Sequence, residues 1–214
     1  MNKYYDEFKQ MIDAYLAKHG KQVEFESNLY ETSLNDADSK NIYDNTRKDI
    51  DVISMDDIAH KPYREIRYPE SVKEEDSIST NDAFVISEEN EWYFIEFKDQ
   101  TLNKTKDSVS KKAYSNWHML LDIIYEMKST CHLSGFDYED PIQFARNHVT
   151  FILVISEKKN PNDAFRIQKG IDYKCDKNEY VPLFLQKLQK YIYHDVFVYT
   201  PAMLERYFVN MLRF

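Results

Sequence analysis

Glycine is almost missing from this chain, with three in 214 residues. No GxGxxG and no Walker-type run occurs, which counts against the glycine-rich loops that cradle nucleotide phosphates. Cysteine is scarcer still: Cys131 and Cys175 are the pair present, and without a CxxC a cysteine-built zinc site is not expected. No run approaches the roughly 18 apolar residues that a membrane span needs. The opening MNKYYDEFKQ has no apolar core of the signal-peptide kind. Together these absences predict a protein with no membrane contact, working in a reducing cytoplasm. Positive charge is also in deficit, 28 Lys and Arg against 37 Asp and Glu, a formal net charge of -9. Proteins that coat themselves with nucleic acid are usually basic, so broad non-specific binding is disfavoured, while a local basic groove is still allowed.

Apolar material is plentiful. Hydrophobic residues make up 43%, including 17 Tyr and 13 Phe, enough for a core of one sizeable domain. No stretch reads as a linker, so a single domain over residues 1–214 is expected. Helical spacing runs through Tyr4, Tyr5, Phe8, Met11, Ile12, Tyr15 and Leu16, and Gly20 is a natural stop. Residues 21–80 are polar and poorly legible, with short apolar pieces at 50–53 and 63–68. Strands are predicted at 83–87 and 92–98, turned by the polar Ser87–Glu91. A polar loop, TLNKTK, precedes a helix capped by Asp107 and running to Met127, with Val109, Ala113, Trp117, Leu120, Ile124 and Met127 as its apolar stripe. HVTFILVI at 148–155 reads as a central strand buried on both faces. A helix from Pro182, a strand at 196–199 and a helix after Thr200-Pro201 complete a mixed α/β domain with a central sheet.

The chemistry concentrates in NDAFVISEENEWYFIEFKDQ, residues 81–100. Strand side chains alternate faces, so Glu96, Lys98 and Gln100 line up, about 7 Å apart. A simple hairpin brings Asp82 beside Glu96 or Lys98. Two carboxylates can hold a hard cation such as Mg²⁺, and the lysine can orient an attacking water or stabilise charge building on phosphate. At least five other acid-x-lysine triplets occur, at Glu7, Asp38, Glu126, Glu157 and Asp172. Glu157-Lys158-Lys159 is the serious rival, with Asp140 upstream. Only the Asp82 set combines hairpin, apolar flanks and one-face alignment.

Asp82 before a strand, then Glu96-Phe97-Lys98 fourteen positions later, resembles the PD-(D/E)xK nuclease superfamily. The resemblance covers about half the chain, roughly 80–156. It implies a restriction-endonuclease-like fold, a mixed central sheet flanked by helices on an αβββαβ core. It also implies a nuclease dependent on Mg²⁺ or Mn²⁺, acting on DNA as endonuclease or exonuclease, in a setting such as defence. Asp82 and Glu96 take the metal-ligand positions, the Phe97 carbonyl adds to them, Lys98 is the catalytic lysine and Gln100 a further polar residue. Asn81 stands where the motif has proline. Glu7 is the candidate for the acidic residue that many members supply from an early helix. Lys104, Lys106, Lys111 and Lys112 cluster just after the motif, and Lys104, Lys111 and Lys112 are candidates for substrate phosphates. Trp117 reads as core, and His118, His148 and His194 show no ligand spacing. The alternative reading is a catalytically inactive binding or immunity module of the same fold. Its acidic surface suits a basic protein partner. A third has the nuclease working within a homo-oligomer or beside a partner that supplies the DNA-binding surface.

Overall fold

The computed structural model describes residues 2–35, 40–43, 50–73, 78–174, 180–210 and 212. Cys175 and the Asp38-Ser39 pair of one rival triplet lie outside them. The first helix starts where the sequence offers a cap. Asn2 Oδ1 accepts the N–H groups of Tyr4 (3.2 Å) and Tyr5 (3.3 Å), and α1 (Lys3–Lys18) buries Phe8, Met11, Ile12, Tyr15 and Leu16 along one stripe.

Residues 21–80 contribute more to the sheet than their polarity suggests. β1 (Glu26–Asn28) pairs antiparallel with β4 (Asp51–Ser54), while β2 (Leu34–Asn35) and β3 (Lys40–Asn41) make a separate two-stranded ladder. Strands of two to four residues leave almost no periodic signal. The Ser54 hydroxyl then accepts the Asp57 N–H (3.4 Å) and starts α2 (Met55–Ile58). A π-helical stretch, Ala59–Tyr63, leads into α3 (Arg64–Arg67). Pro62, which has no N–H to give, lies in that wider turn.

The remaining strands are β5 (Ala83–Ile86), β6 (Trp92–Lys98), β7 (Val149–Ile155) and β8 (Asp195–Tyr199). The six-stranded sheet runs β1-β4-β5-β6-β7-β8, antiparallel as far as β6 and parallel from β6 to β8. All seven residues of β7 are buried, as its apolar run demands of a strand covered on both faces. One face carries Phe84, Trp92 and Phe94, and packs on α1 through Phe8–Phe84 (4.9 Å between rings) and on α4 (Leu102–Met127) through Trp92–Trp117 (6.4 Å). The other carries Tyr93 against Phe208 (4.8 Å), in the π-helical Glu205–Val209. The molecule is therefore mixed α/β, with helices on both sides of a mixed sheet.

Several helices depart from the sequence expectation. α4 begins at Leu102, not Asp107. Leu102 and Thr105 extend its buried stripe backwards, and the Leu102 N–H is tied to Asn160 Oδ1 (2.8 Å), so TLNKTK is the helix's first turn and a half rather than a loop. α5 (Pro141–His148) starts on Asp140, whose Oδ1 accepts the Gln143 N–H (2.8 Å). α6 (Pro161–Lys174) has a sparse stripe of Ala164, Ile167 and Ile171 and was not anticipated. The helix expected from Pro182 is a single turn, α7 (Leu183–Gln186), and the chain reaches the left-handed region at Lys190 (φ +60°), four residues beyond its end. Thr200 caps α8 (Pro201–Leu204) as its chemistry implies, accepting the Met203 N–H (3.4 Å).

The β5–β6 hairpin is locked by the loop after α4. Asn90, at φ +62°, donates from Nδ2 to Gly135 O (3.1 Å) and accepts the Trp92 indole N–H at Oδ1 (3.0 Å). Gly135 sits at φ +81°, and a Cβ there would lie 2.6 Å from Asn90 Nδ2. Gly20, at φ +63°, has nothing within 4 Å of such a Cβ. Gly135→Ala should therefore cost more stability than Gly20→Ala, about 2–3 kcal/mol against about 1 kcal/mol by urea denaturation. Equal losses would contradict the close packing of this loop on the hairpin.

Candidate functional site

The hairpin register sets the site. Ala83 faces Ile95 and Phe84 faces Phe94, so one further step puts Asp82 across from Glu96. Strand pairing stops at that step. Asp82 Oδ2 accepts the Phe97 N–H (2.6 Å), in place of the carbonyl that another ladder residue would supply. Glu96 and Lys98 follow Trp92 and Phe94 on the face covered by α4, as alternation requires.

The Glu96 side chain is 0% exposed. Lys98 Nζ lies 2.6 Å from Glu96 Oε1, and Lys112 Nζ lies 3.0 Å from the same oxygen. Both Glu96 oxygens are buried and neither makes a hydrogen bond, so the two lysines meet the group as ion pairs. Lys112 Nζ also lies 3.2 Å from Asp82 Oδ1 and 3.7 Å from Asp56 Oδ2. Asp56 comes from the first turn of α2, held by the Thr80 hydroxyl at Oδ1 (2.5 Å) and by His60 Nε2 (3.5 Å). Three carboxylates thus surround one ammonium, and a second ammonium sits at the edge.

Two devices bring these groups together. On α4, one turn after Lys112, Asn116 Oδ1 accepts the Asn81 N–H (3.0 Å), tying the residue before Asp82 to the helix. Farther along, Arg67 pairs with Asp122 (Nε–Oδ2 2.6 Å) and with Glu126, and the Tyr63 hydroxyl donates to Asp122 (2.9 Å). The segment carrying Asp56 is thereby clamped to the helix carrying Lys112.

Burial dominates the titration. It pushes Glu96 up to about 7, helped by the Asp82 charge and opposed by Lys112 and Lys98. Asp82 is also raised by burial, against the pull of Lys112. Asp56 goes the other way, because His60, Lys112 and Thr80 outweigh its burial. Lys112 is raised despite burial by Glu96, Asp82 and Asp56, and stays charged.

Asp82, Glu96, Phe97, Lys98 and Lys112 therefore meet, although Lys112 enters the carboxylate cluster itself. Gln100 does not join them: β6 ends at Lys98, Gln100 is exposed, and its carbonyl accepts from Asn160 Nδ2 (2.8 Å). Glu7 is elsewhere, its carboxylate taken by the Ser134 N–H (2.7 Å) and hydroxyl. The acid that comes from outside the motif is Asp56, and its trace in the sequence is the Ser54 cap that opens α2. Lys104 and Lys111 are exposed on α4. Trp117 is core, and Tyr114 is half-exposed beneath Lys187 (5.9 Å). The rival Glu157-Lys158-Lys159 does not assemble. Asp140 caps a helix at the opposite end of β7, and Lys159 pairs with Asp99 (2.5 Å).

Among the described residues, no group of three or more His, Cys, Asp or Glu side chains stands ready to hold a metal ion. At the Asp56–Asp82–Glu96 cluster the point of convergence carries the Lys112 ammonium. No described helix is long and apolar enough to cross a membrane. Comparison of the chain with protein-family models, curated proteins and solved structures gave no match.

The shift of Glu96 has a measurable sign. The folded protein keeps this proton up to about 7, whereas a free glutamate loses it near 4.5. Ionising the buried group therefore removes stability as pH rises across that window. In Glu96→Gln that loss is absent, so the variant's urea midpoint should gain on the wild type from pH 4.5 to pH 7. Parallel midpoints across the window would contradict the assignment.

Proposed function

We propose that this chain is a metal-dependent nuclease of the PD-(D/E)xK type, hydrolysing phosphodiester bonds in DNA. The observation that carries the reading is a fully buried Glu96, neither of whose carboxyl oxygens makes a hydrogen bond, beside Asp82 and two lysines at ion-pair distance. A buried polar atom left without a partner costs about 1–3 kcal/mol, more for a charged one, and a cation is the partner that a carboxylate oxygen takes. The donor set is all hard oxygen, which suits Mg²⁺ or Mn²⁺.

Asp82 and Glu96 would hold the ion, with Asp56 as a third acid. The Phe97 carbonyl points to the same strand edge as its N–H, the edge that Asp82 caps, and is available to the same ion. A bound ion supplies a water of lowered pKa and polarises a phosphoryl oxygen. Lys98 keeps an ammonium against Glu96 at the sheet rim, where it orients the water and meets charge growing on the phosphate. Lys104 and Lys111, exposed along α4, reach the flanking phosphates. With β1 to β3, α2, α3 and α5 set aside as additions, α1, β4, β5, β6, α4 and β7 follow the αβββαβ order, which supports the restriction-endonuclease-like reading.

A non-catalytic binding module is the second reading. It is favoured by the Lys112 ammonium, which already balances the carboxylates, and by the net charge of -9, which suits a basic protein partner. Cleavage of a panel of double-stranded DNA, single-stranded DNA and RNA with Mg²⁺, Mn²⁺ or EDTA separates the two. Metal-dependent cutting is expected, with Lys98→Ala reducing it about 100-fold or more without unfolding the protein. Folded wild-type protein that cuts nothing with either metal would transfer the conclusion to the binding module.

A further inference from the structure

We propose that Lys112 is a built-in stand-in for the metal: its ammonium gathers Asp56, Asp82 and Glu96 in the cation-free protein and must leave when a divalent ion binds. This rests on reading the cluster as a metal site. Among the described residues, Lys112 is the one group within ion-pair distance of all three acids, at 3.0, 3.2 and 3.7 Å. Its side chain is 12% exposed, so its charge is spent on these carboxylates rather than on water. Lys98 differs, because it pairs with Glu96 at the rim and leaves Asp82 and Asp56 to Lys112.

The same point cannot hold both cations. Two like charges a few ångströms apart in a buried site repel strongly, so an arriving divalent ion displaces the ammonium. A lysine suits this role, being a compact, strongly hydrated charge on a flexible four-carbon stem. The exchange replaces one positive charge with two among the three carboxylates, while the acids keep their places. Asn116, holding Asn81 one turn along α4, keeps the helix in place during the exchange. The released ammonium remains tethered over the site and is then free for a substrate phosphate, which sets an order of metal before substrate.

Mn²⁺ titration by calorimetry and electron paramagnetic resonance, on wild type, Lys112→Met and Lys112→Arg, tests this without any activity readout. Lys112→Met should bind Mn²⁺ about tenfold more tightly or better, since no ammonium competes. Its melting temperature should fall below wild type in EDTA and rise more on adding Mn²⁺. Lys112→Arg, which keeps the charge on a bulkier fork and guards against a poorly folding Met variant, should bind Mn²⁺ more weakly than wild type. Equal Mn²⁺ affinity in all three proteins would overturn the stand-in role while leaving the metal site intact. Weaker binding by Lys112→Met would likewise overturn it. Absence of Mn²⁺ binding by all three folded proteins would overturn both this inference and the metal-site reading beneath it.

Discussion

A carboxylate shut away from water is the constraint on which this molecule turns. Glu96 lies two residues from the end of a strand whose preceding residues on that face, Trp92 and Phe94, are aromatic, and its side chain has no exposure. A charge so placed is tolerated only beside opposite charge or as its protonated form. The surroundings supply both: two ammonium groups within 3.0 Å, and a pKa lifted to about 7. Neither oxygen makes a hydrogen bond, although Oε1 lies within 3.0 Å of both lysines, and buried polar atoms left in this way call for an explanation.

Much of the architecture serves to hold charge around that group. The hairpin register sets Asp82 opposite it, and the Asp82 carboxylate in turn closes the strand end by taking the Phe97 N–H. Helix α4 lies across this face, secured at its start by Asn160, in its middle by the Tyr193 hydroxyl on the Ala113 carbonyl, and near Asp82 by Asn116. Lys112 is positioned by those three attachments. The π-helical turn and the Arg67–Asp122–Glu126 clamp bring the α2 segment, and with it Asp56, to the same helix. Pre-organisation of this kind is what electrostatic catalysis requires of a scaffold.

The sequence was legible where the signal is local. Alternation over 92–98 predicts that Glu96 and Lys98 share a face, and the polar turn at 87–91 predicts the hairpin that carries Asp82. The buried run of β7 is equally plain. Other features depend on contacts distant in sequence and leave little trace. Asp56 lies in a polar segment, on a helix of four residues, and meets Glu96 only through the tertiary clamp. Lys112 falls off the apolar stripe of α4, so helical phase marks it as a surface lysine suited to substrate. Only the fold of α4 over the sheet turns it inward. Glu7 fails for the converse reason, since helical phase gives no view of Ser134, 127 residues away. Gln100 fails because β6 stops at Lys98, where Asp99 turns aside to Lys159.

The central claim, that this cluster is built for a divalent cation, is tested most directly by a crystal structure with Mn²⁺ and diffraction data collected near the manganese absorption edge. The expected result is an anomalous peak bounded by Asp82, Glu96 and the Phe97 carbonyl, with Lys112 swung away and Lys98 still on Glu96. Crystals grown at saturating Mn²⁺ with no peak at the cluster, and Lys112 still seated among the three carboxylates, would contradict it.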